Sequence, residues 1–279
     1  MNRPAQQSAA TSSTPARQSR IRALWSLTWF SALQLLRHQR VALMLILMAV
    51  PLVVAVVLRS IGRLNEPELF YWNMTIYVFQ MAVIPLLSML FFSSLIAGEA
   101  GEGMLVYLFT RRLSRPGVLA GKFMGTFVTV TALALAAHAA FFFVTFTASI
   151  NVAPQWDVLW MTLVTNTLAI AVFACVFTLI GLVARKPMGV GIMYLLIFEI
   201  ALTFMQLNIQ RFSLLYYVRS ILWNAHQGRV LLADVLVVEE VEPTLPALII
   251  LGAVAAATLV ASLVLVRMKE FTRLDAGEA

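Results

Sequence analysis

Cysteine is all but missing from this chain. Cys175 is the single one among 279 residues, which excludes an intrachain disulfide framework and a cysteine-based metal site. Histidine is nearly as scarce. His38, His138 and His226 are widely scattered, too few and too dispersed for a structural or catalytic zinc set. Charge is short as well: Asp, Glu, Lys and Arg together make 12%, against about 25% in a soluble domain. A phosphate-binding G-x-x-x-x-G-K-[ST] loop is lacking. The nearest string, Gly117, Gly121, Lys122 and Phe123, has the wrong spacing and no hydroxyl residue to hold magnesium. The chain is therefore expected to carry no ATPase and no catalytic residue of its own. An intramembrane hydrolase is disfavoured too, because no Ser–His pair or carboxylate pair falls at one depth.

What the chain has in excess is apolar length. Hydrophobic residues make up 61% and the mean hydropathy is +0.88. Six long apolar runs stand out, at 41–58, 74–97, 123–150, 158–184, 188–207 and 245–266. Each is near or above the roughly 20 residues a helix needs to cross a bilayer. The expected fold is an all-α membrane protein of six transmembrane helices. With the N-terminus inside, 15 of the 20 Lys/Arg fall in the N-terminal segment, segment 98–122, segment 185–187 and the C-terminal tail. The positive-inside rule thus predicts both termini in the cytoplasm. The net charge of +7 reads as cytoplasmic flanks touching anionic lipid, not as a nucleic-acid surface.

Residues 1–19, rich in Ser, Thr, Gln, Ala and Pro, read as a disordered cytoplasmic tail, and 271–279 as a second one. No signal peptide is visible. One membrane domain covers 20–270. Within 20–40, Ile21, Leu24, Trp25, Ala32, Leu35 and Leu36 share one helical face, and Arg22, Ser26, Gln34 and Arg37 the other. That pattern predicts an interfacial helix on the inner leaflet, with Trp25 and Trp29 at headgroup depth. Arg185, Lys186 and Pro187 leave a tight connection that makes the fourth and fifth spans antiparallel neighbours. The long outer segment 208–244 begins aromatic and amphipathic, which predicts short helices at or dipping into the outer leaflet, and ends acidic at Asp234, Glu239, Glu240 and Glu242. Ala253, Ala257 and Ala261, and Gly121 with Gly125, are small residues at helical spacing, suited to close helix approach.

The segment GEAGEGMLVYLFTRRLSRPGVLAGK fills positions 98–122. Its glycines stop the second span, and Pro116 and Gly117 are expected to turn the chain. Between Glu99 and Glu102 on one side and Arg111, Arg112 and Arg115 on the other lies a short apolar stretch with Leu105 and Leu108. An apolar helix of two turns bracketed by acids and bases calls for a protein partner. The segment resembles the signature region of type-2 ABC exporter permeases. Ile96, Glu99, Gly103, Thr110, Arg111, Ser114, Arg115, Gly121 and Lys122 match that pattern, while Ala100, Met104 and Arg112 depart from it. The interfacial helix, six spans and a large outer segment between the last two extend the resemblance over most of the chain. It implies a multi-pass permease subunit of a bacterial-type inner (plasma) membrane. It also implies that 98–122 forms a coupling loop, with Glu99, Glu102, Leu105, Leu108, Arg111, Arg112 and Arg115 facing a cytoplasmic ABC ATPase. Two ATPase copies would carry the ATP and magnesium, and a second permease chain, identical or related, would complete the exporter.

Three polar residues fall deep in the apolar runs: His138 in the third, Asn166 in the fourth and Glu199 in the fifth. An ionisable group at that depth is costly, so the three are candidates for a translocation path. The structural alternative for Glu199 is a carboxyl paired with a neighbouring helix, and for His138 a satisfied packing residue. The competing functional reading is a proton-coupled secondary carrier using Glu199 and His138. Topology is open to a direct check. In a chain whose Cys175 has been replaced, a cysteine at Ser114 should react only from the cytoplasmic side and one at Glu240 only from the outside. The reverse pattern would overturn the topology.

Overall fold

The computed structural model describes residues 28–29, 31–32, 35, 39–62, 67–95, 115–146, 156–203, 205, 207–225 and 241–268. Seven helices organise them: α1 (Gln39–Ser60), α2 (Pro67–Phe92), α3 (Arg115–Phe146), α4 (Trp156–Val183), α5 (Pro187–Ala201), α6 (Leu214–Ala225) and α7 (Thr244–Met268). No strand occurs among the described residues. Five helices, α1, α2, α3, α4 and α7, are long and apolar enough to cross a membrane. The helices begin and end where local chemistry dictates. Gly62, at φ 71°, takes the left-handed conformation just beyond α1, and its N–H closes onto the Arg59 carbonyl at 3.0 Å. Pro116 and Pro187 sit in the first turns of α3 and α5, where a missing N–H costs nothing.

Several expected boundaries move. The second span starts at Pro67, not at 74, and the third at Arg115, not at 123. Pro116 and Gly117 therefore open a helix and do not turn the chain. The fifth run, expected as a span over 188–207, is shorter. Its apolar helix covers Pro187–Ala201, about 22 Å at 1.5 Å per residue, against a hydrocarbon core of about 30 Å. The chain then turns back through the 3-10 helix Leu207–Phe212 into α6. Glu99, Glu102, Leu105, Leu108, Arg111 and Arg112 lie outside the described residues, as do both tails and Asp234, Glu239 and Glu240. Of the interfacial helix, Thr28, Trp29, Ser31, Ala32 and Leu35 are described and helical.

Helix α4 is the post of the bundle. It packs against α2, α3, α5, α6 and α7. The run Ala169, Ile170, Val172, Phe173, Ala174, Cys175, Val176 and Phe177 is buried on every side, as a helix apolar all round requires. Helix α1 leans on α3 and on the middle of α2. Its outer face, with Leu43, Ile46, Val50 and Val53, is exposed, as are Leu245, Ile249, Val260 and Val264 of α7. The Ala253 and Ala257 stripe also faces outward. At the end of the bundle where α2 stops and α3 starts, Leu119, Leu182 and Val266 form a second, smaller apolar cluster with Leu95 and Leu263.

Helices α2 and α5 each contain a π-helical stretch, Met74–Val83 and Leu195–Ala201. In α2 the stretch ends just before Pro85. Proline supplies no N–H and its ring crowds the carbonyl four residues back, so the widened turns precede the point where an α ladder would break. The stretch also sets direction. Tyr71, Thr75 and Gln80 are all fully buried, and a step of five residues returns to the same side of a π turn.

Close packing depends on two glycines. A Cβ at Gly125 would press on the Thr28 carbonyl and the Ser31 side chain, and one at Gly181 would drive into the Ser93 carbonyl at the end of α2. Backbone cannot yield as a flexible side chain does. Gly181→Val should therefore lower the stability of the purified protein by about 1–3 kcal/mol, the usual range for overpacking. Gly252→Val, at a site with open space around it, should leave thermal unfolding unchanged. Equal unfolding temperatures for the two variants would refute the close contact.

Candidate functional site

The three polar residues deep in the apolar runs are sorted by the fold into two places. His138 and Asn166 belong to a seam between α2, α3 and α4. Glu199 belongs to the junction of α5 and α6. Among the described residues no hydrogen bond joins one group to the other.

In the seam, the Tyr71 hydroxyl lies 2.8 Å from His138 Nε2 and 2.9 Å from Thr162 Oγ1. Thr162 also donates to the Val158 and Leu159 carbonyls at 2.9 Å, as hydroxyls on membrane helices commonly do. If its proton stays there, Tyr71 donates to Thr162 and His138 donates through Nε2 to Tyr71. Farther along the same two helices, Gln80 Nε2 donates to Asn166 Oδ1 at 3.3 Å. Tyr71 with Thr162, and Gln80 with Asn166, are thus two polar rungs between α2 and α4. Aromatic rings close around the histidine. Phe79 meets it edge-on with centroids 4.6 Å apart, and Tyr71 stacks on Phe141 at 5.5 Å and 11°. His138 is fully buried, wedged among rings and bonded through one nitrogen. This is packing geometry, with no metal partner: no cluster of three or more His, Cys, Asp or Glu forms among the described residues.

Glu199 has a different task. It is 0% exposed, and four donors converge on its two oxygens. Tyr194 Oη donates to Oε1 at 2.8 Å and the Leu214 N–H to Oε1 at 3.3 Å. Ser213 Oγ donates to Oε2 at 2.7 Å and the Leu215 N–H to Oε2 at 3.1 Å. Those two amides are the first of α6. Glu199 therefore caps the N-terminus of α6 from a neighbouring helix, supplying the acceptor that orphan amides need and the negative charge that the helix dipole favours. Two carboxylate oxygens have about four acceptor positions, and all are taken. The π stretch in α5 makes part of this possible. Tyr194 and Glu199 are five residues apart, which puts them about 140° apart on an α-helix of 3.6 residues per turn but on one side of a π turn.

Further contacts secure the junction. Thr203 Oγ1 donates to the Glu199 carbonyl, and Arg219 Nη2 donates to Thr203 Oγ1 at 3.3 Å. Gln210 Nε2 reaches the Met205 carbonyl at 2.8 Å, and Asn224 Nδ2 the Glu242 carbonyl at 2.6 Å. Arg211 pairs with Glu242 at 3.8 Å near the surface. The expectation of short helices in segment 208–244 is met by 207–212 and α6. Ser213 through Ser220 are all buried in the bundle. Arg219, counted by sequence among the outer cations, is one of them.

Of the residues predicted for a partner-facing loop, Arg115 opens α3, and the other six lie outside the described residues. Sequence reasoning passed over Tyr71, Gln80, Thr162, Ser213 and Arg219. Helical spacing was the one signal, and it reaches only Thr162, four residues before Asn166. Comparison with known protein families and with curated proteins gave no match.

The donor set changes what a glutamine at position 199 means. Gln offers one acceptor oxygen, and its NH2 group would face one α6 amide N–H and one hydroxyl that must turn round to accept. Glu199→Gln should therefore cost about 3 kcal/mol, two charge-assisted bonds at roughly 1.5 each. Glu199→Leu should cost more. Thermal unfolding in detergent checks this, and a Gln variant as stable as the parent would show that the four donors do not converge on the acid.

Proposed function

We propose that this chain is the membrane-spanning permease subunit of an ATP-driven ABC exporter, with both termini and segment 98–122 in the cytoplasm. The observation that carries the reading is the pattern of segment 98–122, from Ile96 and Glu99 through Thr110, Arg111, Ser114 and Arg115 to Gly121 and Lys122. A body of long apolar helices joined by few charges supports it. So does the way the flanks of that segment are held. Leu95 before it and Leu119 near its end meet Leu182 of α4 and Leu263 and Val266 of α7. A push on the segment would thus reach α2, α3, α4 and α7 together.

In this reading the chain performs no covalent chemistry and holds no cofactor or metal. ATP and magnesium belong to two copies of a separate cytoplasmic ATPase, and a second permease chain, identical or related, completes the path across an inner (plasma) membrane. Nucleic acid has no part. Glu199, His138 and Asn166 serve the helix bundle and are not offered as a translocation path. The proton-carrier alternative is the weaker reading, since the Glu199 oxygens are occupied by four donors and His138 sits in a separate seam.

Leu105→Asp with Leu108→Asp would place two charges in the apolar part of the docking segment. The double variant should fold and insert normally. It should lose copurification with the ATPase by tenfold or more, about 1.4 kcal/mol per decade. Undiminished copurification and ATP hydrolysis in the double variant would refute the docking assignment.

A further inference from the structure

Arg219 is 6% exposed, yet no carboxylate pairs with it directly among the described residues. Its Nε donates to the Leu215 carbonyl and its Nη2 to Thr203 Oγ1, both at 3.3 Å. Thr203 in turn donates to the Glu199 carbonyl. Arg219 lies on α6, the helix whose first amides Glu199 caps, so the guanidinium and the carboxyl are buried at one junction. Glu199 for its part is held by neutral donors alone. Two opposite charges are thus buried at the first turns of α6, each wrapped in dipoles, and Thr203 ties the guanidinium to the main chain of Glu199. A buried charge left without a counter-charge is strongly unfavourable, and the low dielectric extends the reach of attraction beyond contact distance.

We propose that Arg219 is the counter-charge of Glu199, and that the two residues, bridged by Thr203, form a latch that seats α6 in the bundle as a charge-neutral unit. The α5–α6 hairpin is then a two-state element. Withdrawing α6 from α4, α7 and the π stretch of α2 would separate both charges at once, so partial opening is disfavoured. Arg219 acts as a positioning residue. The proposal concerns the bundle itself and stands or falls apart from the ATPase partner.

Hydrogen exchange of the full chain in lipid nanodiscs tests it, with α6 amides as the reporter and α4 amides as the internal reference. Glu199→Gln and Arg219→Gln should each raise exchange in α6 by about tenfold or more with α4 unchanged, the mark of local opening. The double variant should exchange no faster than Glu199→Gln alone, the non-additivity of a coupled pair. Arg219→Lys, which keeps the charge, should stay within about threefold of the parent. Additive effects in the double variant would overturn the proposal. So would exchange that rises equally in α4 and α6, or a Lys variant as open as the Gln variant. If Arg219→Gln does not fold, recovery of folded protein in the double variant supports the latch, and its failure to fold overturns it.

Discussion

Many buried polar groups in this fold find their partners inside the protein, and helix α4 supplies several of them. Over 169–178 this helix is enclosed by its neighbours and has no outward face on which to leave a hydroxyl. Thr162 and Thr178 return their protons to carbonyls of their own helix. Thr162 and Asn166 also meet Tyr71 and Gln80 of α2. Because lipid is as apolar as the side chains, burial of leucine gives little preference for one helix neighbour over another. The polar rungs and the glycine contacts supply the register that apolar packing leaves undetermined. The α2–α4 pair has all three along its length: Tyr71 with Thr162, Gln80 with Asn166, and Ser93 against Gly181.

The two π stretches belong to the same economy of partners. An α-helix brings residues three and four apart to one face, and a sequence that needs Thr75 and Gln80, or Tyr194 and Glu199, to look inward has them five apart. Widening the turn solves that problem without breaking the backbone ladder, which in an apolar solvent would expose amides with nothing to bond. The stretch in α5 also precedes the point where the chain does leave the helix. Beyond Thr203 the backbone turns, and Ser213, Leu214 and Leu215 find Glu199. Irregular backbone at such a depth is tolerated when protein covers it, and here a side chain from the preceding helix provides the cover.

The helical class, the apolar runs and most of their extents were legible in the sequence, because hydropathy is averaged over many residues. The ends were less so. Pro67–Asn73 carries Glu68, Tyr71 and Asn73, which lower its hydropathy, so the second run seemed to start seven residues late. Arg115 and Lys122 hid the first two turns of α3 in the same way. The fifth run misled in the opposite direction: apolar residues continue to 207, while the helix does not. What a window of hydropathy cannot register is which residues meet. Glu199 was visible as an anomaly because an acid stood among apolar neighbours. Its partners were not, since Ser213 and two backbone amides lie 14 to 16 positions away. Arg219 was counted among the cations of the outer segment 208–244, and a rule that counts cations is blind to whether one of them is buried in the bundle.

The default reading of an acid within a membrane helix is a carrier of protons or a ligand for substrate. Saturation argues differently at Glu199. A carboxylate that carries protons needs an oxygen free to receive one, and a ligand needs an oxygen free to meet a substrate. Here a proton on either oxygen would face one hydroxyl, which can turn to accept it, and one amide of α6, which cannot, so uptake would loosen the cap at Leu214 or Leu215. The same comparison separates His138, which keeps one ring nitrogen unbonded within its aromatic enclosure, from Glu199, which keeps nothing back. Half-helix N-termini in membrane proteins can face an anionic substrate. In this chain the Glu199 carboxylate fills that position at α6. For the proposed permease, passage of a substrate is therefore better sought along the outward faces of α1, α5 and α7 than at Glu199.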